Sequence, residues 1–197
     1  MNTKTIKTYI FIVTCLGAVA LAQERADQHR VAPGNEISID EIRDYRKMFR
    51  VNEKPLDMVE STKIMCAPPW SVFGPHYDPG VVYYINEIAR QGVKTFPGDR
   101  AFPVGSIIVK EKQERKTADS VQIITVMKKI RADRSEDSWQ YRMYDVKSWK
   151  EIDTKSPASS RASADCIGCH RHYKENDYVS DKGLELLLGN PKKEVSK

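Results

Sequence analysis

Four stretches in the middle of the chain carry the hydrophobic pattern of strands. Residues 81–85 are β-branched and aromatic. Residues 106–112 alternate, placing Ile107 and Val109 on one face and Ile108 and Lys110 on the other. A polar loop at 113–120 leads into a third strand at 121–130. Residues 139–146 alternate again, with Trp139, Tyr141 and Met143 sharing a face. Strands this close together, without long helices between them, predict an antiparallel sheet. Upstream, Ser38-Ile39-Asp40-Glu41 reads as a capping box, and Ile39, Ile42, Tyr45 and Phe49 follow at helical spacing. That predicts a helix over 38–50. A short helical turn at 86–90, closed by Gly92, and a short apolar helix at 182–188 complete the elements. Residues 51–79 read as an irregular, proline-containing loop, and 156–163 as a small-residue linker. The expected fold class is α+β, mainly an antiparallel β-sheet with flanking helices.

The ends of the chain follow a different logic. Lys4 and Lys7 precede an apolar run at 9–22 that closes Ala20-Leu21-Ala22. At ~14 residues it is shorter than the ~20 needed to cross a bilayer, and it predicts a cleaved signal peptide over 1–22. A periplasmic location follows, with no membrane span after cleavage. Residues 23–37 read as a flexible arm, 38–188 as the folded domain and 189–197 as a basic tail. The whole chain of 197 residues is 40% hydrophobic, but the leader holds 14 of those residues. The remainder is about 37% apolar, below the usual globular share. A core completed by a cofactor is therefore expected. The formal net charge of +5 falls to +3 without the leader, with mixed signs, and gives no case for nucleic acid.

Cys166-Ile167-Gly168-Cys169-His170 has the C-x-x-C-H spacing of covalent haem attachment. Two thiols on one helical turn can bond the two porphyrin vinyl groups, and the adjacent imidazole can ligate the iron. A thioredoxin-like pair would need a βαβ setting, which is missing. A structural zinc site needs four spaced ligands, and His170 and His172 are too close together. A plain disulfide would not call for His170. The motif therefore predicts one haem c, with Cys166 and Cys169 as thioether donors and His170 as iron ligand. Cys66 is left as a buried structural thiol, and His76 and His172 as surface or hydrogen-bonding histidines. Met48, Met58, Met65, Met127 and Met143 remain open as sixth ligands.

The chain resembles the cytochrome P460 family, which includes the cytochromes c′-beta. The resemblance is carried by Val51-Asn52-Glu53-Lys54-Pro55, Met65-Cys66-Ala67-Pro68-Pro69, Tyr83-Tyr84-Ile85-Asn86, and the run from Phe102-Pro103-Val104-Gly105 to Lys110-Glu111-Lys112. Val126-Met127-Lys128-Lys129, Trp139-Gln140-Tyr141, the haem motif and Asp177-Tyr178-Val179 continue it. It implies a homodimer with a pentacoordinate haem open on its distal face. The P460 enzymes oxidise hydroxylamine at a haem cross-linked to a lysine that aligns with Lys110. The cytochromes c′-beta bind nitric oxide or similar gases, without that link, over an apolar distal face. By pattern alone Lys110 reads as a solvated lysine on a strand edge; the resemblance makes it the candidate cross-link. The enzymes also carry a distal carboxylate on the strand corresponding to 121–130, which here has no Asp or Glu. Asp119, Asp133 or a loop would have to supply one. Gas binding is therefore favoured over hydroxylamine oxidation. A redox partner protein is expected, and a one-electron carrier with a six-coordinate haem is the alternative.

Overall fold

The computed structural model describes residues 35–57, 79–99, 101–152 and 166–189. The leader at 1–22, most of the arm, Cys66, His76, the 156–163 linker and nearly all of the basic tail lie outside them.

Among the described residues, six strands form one antiparallel sheet: β1 (Phe49–Arg50), β2 (Leu56–Asp57), β3 (Gly80–Ile85), β4 (Ile107–Gln113), β5 (Val121–Lys129) and β6 (Trp139–Asp145). The order is β1-β3-β4-β5-β6, with β2 also pairing β3. The four long strands are those the alternation predicts. Around them lie α1 (Ile39–Ile42), α2 (Glu87–Asp99), α3 (Cys166–His170) and α4 (Asp181–Leu187). Among the described residues no helix is long and apolar enough to cross a membrane.

The predicted 38–50 helix is corrected. The capping box is present, with Ser38 accepting from the Glu41 N–H and Glu41 accepting from the Ser38 N–H. The α-helix nevertheless stops at Ile42, a 3₁₀ turn follows at Tyr45–Lys47, and Phe49 pairs with Ile85 in the sheet. A competing backbone partner on β3 took the last turn of the helical pattern. The irregular 51–79 stretch likewise contains β2. Its Asn52 is buried and bridges backbones: its amide donates to the Lys54 and Val81 carbonyls, and its Oδ1 accepts from Tyr83 N–H at 2.8 Å. Residues 35–37, expected within the arm, are bonded to the sheet region. Asn35 donates to the Ile130 carbonyl, and Ile37 N–H donates to Gln140 Oε1 at 2.6 Å.

Gly92 does not close a short turn. Helix α2 continues through it to Asp99. A Cβ at this position would run into the Pro103 ring and stand 3.3 Å from Phe102, so glycine is there to let the helix approach the 102–103 segment. Gly92→Ala should destabilise the fold by about 1–3 kcal/mol through overpacking. Thermal unfolding checks this, and an unchanged midpoint would count against the close approach. Gly105, at φ +88°, occupies the third position of a turn in which Ser106 N–H donates to the Pro103 carbonyl.

The expected core is divided between the two sides of the sheet. The sheet has two apolar faces. One buries Ile42, Tyr45, Val82, Tyr84, Val109, Ile124, Val126 and Tyr144. Its polar centre is Glu111, fully buried, which accepts from Tyr45 Oη at 2.5 Å, Arg46 Nε at 2.9 Å and Gln113 Nε2 at 2.7 Å. Burial and the adjacent carboxylate push the Tyr45 phenol far above its ordinary range, so it stays a proton donor. The other face joins Ile85, Phe96, Phe102, Ile108 and Trp139 to Tyr178, Val179 and Leu184 of the C-terminal segment.

Candidate functional site

The second face does not close completely on the C-terminal segment. Between them lies a cavity of about 600 Å³, within the usual size range of cofactor sites. Period-two alternation decides which strand residues line it. Tyr83 of β3, Lys110 of β4, Thr125 of β5 and Met143 of β6 form one cross-strand row. Ile108, Met127 and Tyr141 form the next. All of these line the cavity, as do Cys166, Cys169 and His170 from α3.

The structure therefore brings Lys110, Cys166, Cys169 and His170 to one cavity. Lys110 is not a solvated edge lysine. Its strand is central, and its side chain is half-buried in the cavity wall. Its neighbours Glu111 and Lys112 are buried, so residues 110–112 are not a solvated face. Met127 and Met143 line the cavity, whereas Met48 packs against the opposite core and cannot reach it. Met58 and Met65 lie outside the described residues. His172 is exposed but borders the cavity mouth.

His170 is held in one tautomer. Its Nδ1 lies 2.6 Å from the Tyr178 carbonyl oxygen. A carbonyl only accepts, so Nδ1 carries the proton and Nε2 keeps its lone pair. Burial lowers the pKa of the ring, the Tyr178 carbonyl opposes this, and the Lys110 charge lowers it further. A neutral imidazole with a free Nε2 is the state that binds a metal. The geometry that allows this is strained. Asp177 and Tyr178 are consecutive non-glycine residues in the left-handed region, at φ 50° and 65°. Sequence reading placed both in a motif without seeing a role for either.

Tyr141 packs beside the imidazole, ring centroids 5.0 Å apart. Its hydroxyl is buried with no hydrogen-bond partner among the described residues. Burial first, then the charge of Cys166, pushes its pKa well above the ordinary phenol value, so it remains a neutral donor. Nothing in the sequence distinguished it from a core tyrosine.

The cavity carboxylates are not those weighed from sequence. Asp119 and Asp133 are exposed and do not line it; Asp133 binds Arg131 and Ser135 instead. Asp57 and Asp181 do line it, both at its exposed margin. Lys116 Nζ lies 2.5 Å from Asp57. Among the described residues, no group of three or more His, Cys, Asp or Glu is placed to hold a metal by side chains alone.

The profile of the family described as cytochrome P460 matches residues 42–180, most of the chain. The chain belongs to the cytochrome P460 family. No curated protein matches it significantly. Membership implies haem and iron. The residues fit that group: an apolar hollow of cofactor size, two thiols on its wall, and an imidazole with Nε2 unprotonated. In a cytochrome P460 of this composition the haem would rest between the β3–β6 face and helices α3 and α4.

Proposed function

We propose that this chain is an exported mono-haem c-type cytochrome that binds a small neutral nitrogen species, nitric oxide foremost, at a pentacoordinate haem. Cys166 and Cys169 form the thioethers, and His170 Nε2 is the axial ligand. When bound, the haem supplies an iron with one open axial position and a one-electron couple. The leader at 1–22 supports a periplasmic location, and the family likeness supports a homodimer with a redox partner protein.

The observation that carries the reading is the composition of the cavity wall. Val81, Tyr83, Ile108, Thr125, Met127 and Met143 are uncharged, Lys110 is the one charged group that β3 to β6 contribute, and these strands place no carboxylate there. Such a largely apolar wall favours a small uncharged ligand. Hydroxylamine oxidation releases protons and needs a base within hydrogen-bond reach. Among the described residues, the two carboxylates that border the cavity stand at its margin, one of them paired with Lys116. Tyr141 holds its proton and does not serve as that base. Tyr178 fixes the imidazole.

Optical spectra and nitric oxide titration of the purified holoprotein test this. A high-spin iron that takes up nitric oxide supports the reading. A six-coordinate, low-spin iron would sink it and favour a one-electron carrier, the second reading, which Met127 and Met143 make specific. Met127→Leu and Met143→Leu would then identify the sixth ligand by restoring a high-spin spectrum.

Lys110 decides between the two branches of the family. If its amine is bonded to the porphyrin, the ferrous spectrum of the wild type is red-shifted and Lys110→Arg restores an ordinary c-haem spectrum. If the wild type is already ordinary, the gas-binding branch stands and hydroxylamine oxidation loses its main support. Intact mass and ferrous spectra of the two proteins provide the comparison.

A further inference from the structure

Lys129 and Asp177 form an ion pair that is completely buried, with Lys129 Nζ 2.5 Å from Asp177 Oδ1. Neither residue borders the cavity. The pair is tied in at both ends. Lys129 Nζ also donates to Ser138 Oγ at 3.0 Å, and the second oxygen of Asp177 accepts the Phe102 N–H at 2.8 Å. The ammonium stands 5.3 Å from the centroid of the Trp139 ring. Four separate segments thus meet at one ion pair: the end of β5, the residue before β6, the 102–106 segment and the C-terminal segment.

A buried ion pair is weak evidence for stability, because desolvation offsets most of its attraction. Its place in the chain suggests another use. Asp177 is the first of the two left-handed residues, and Tyr178, whose carbonyl accepts the His170 Nδ1–H, is the second. Left-handed backbone at two bulky residues persists only where the surroundings over-determine it. The bond from Tyr178 N–H to the Tyr173 carbonyl fixes one side of the turn. The Asp177 carboxylate fixes the other, against the sheet.

We propose that Lys129 and Asp177 are positioning residues for the axial ligand. They clamp the Asp177-Tyr178 turn to β5, which holds the Tyr178 carbonyl on His170 Nδ1–H and sets how strongly the imidazole donates to iron. This rests on His170 being the haem ligand. A carbonyl on Nδ1–H makes the ring a stronger donor and favours oxidised iron. Releasing the clamp weakens that bond, so the midpoint potential rises and the ferrous iron–histidine stretch moves to lower frequency.

The test uses haem-loaded protein with Asp177→Asn, which keeps the size of the side chain and an acceptor for Phe102 but loses the charge. An upward shift in potential together with a lower iron–histidine frequency is expected. Ile124→Val, in the core on the opposite face, should lower stability without moving either quantity, which separates positioning from loss of stability. If Asp177→Asn does not fold, Lys129→Met with Asp177→Asn removes both charges and should give the same two shifts. Unchanged potential and frequency in a folded variant overturn the proposal. Failure of both variants to give folded holoprotein also overturns it, by assigning the pair to folding alone. A wild type with no iron–histidine stretch would instead remove the five-coordinate, His170-ligated haem on which the proposal rests.

Discussion

Cys166→Ser with Cys169→Ser should yield a protein without covalent haem, its intact mass reduced by the whole porphyrin. The consequence for the fold should be large but one-sided. An empty hollow of about 600 Å³, at about 24 cal/mol per Å³, would cost on the order of 14 kcal/mol, as much as a whole domain's stability. The haem face cannot remain open and dry; water enters or α3 and α4 shift inward. The opposite face is complete without any group, since Tyr45, Val109, Ile124 and Tyr144 already pack on one another there. Hydrogen exchange should therefore rise over 166–189 while the centres of β4 and β5 stay protected. Far-ultraviolet dichroism should keep its sheet signal while aromatic near-ultraviolet signals fade. Covalent haem mass retained in the double variant would remove the thioether assignment. Stability equal to that of the holoprotein would remove the structural role of the group.

Lys129→Met should destabilise the holoprotein by about 3–5 kcal/mol, the range for breaking a buried pair from one side. The reason is what remains. Asp177 is fully buried, and among the described residues its carboxylate would keep only the Phe102 N–H once the ammonium is gone. Burial already lowers the Lys129 pKa, with the Asp177 bond and charge opposing it, so desolvation is the larger cost on the lysine side too. Removing both charges together should therefore recover much of the loss. Denaturant unfolding of the two single variants and the double variant closes the cycle. A Lys129→Met loss below about 1 kcal/mol would mean the pair is solvated in solution.

The strands and the attachment motif were legible because each rests on local spacing. Alternation in 106–112 separated Ile107 and Val109 from Ile108 and Lys110, and the two sets do reach different cores. What it could not supply was strand order. Lys110 looked like an edge residue until β4 was placed between β3 and β5. The helix at 38–50 was misjudged for the same reason, since the partner that takes Phe49 is 36 residues away on β3. Gly92 carried a familiar stop signal, but its meaning depended on Pro103 from another segment. The clamp was invisible. Lys129 and Asp177 are 48 residues apart, and left-handed backbone at Asp177 and Tyr178 contradicts their ordinary preferences. Membership in the cytochrome P460 family agrees with the resemblance read from the motifs.

The two unlike faces of the sheet also imply an order of manufacture. Strand register is set on the rear by groups that belong to the chain, with Glu111 gripping Tyr45, Arg46 and Gln113. That grip fixes which way β4 faces, and so presents Lys110 forward before anything occupies the front. The rear is finished by the polypeptide; on the proposed reading the front is finished by haem, which a chain already in register can receive.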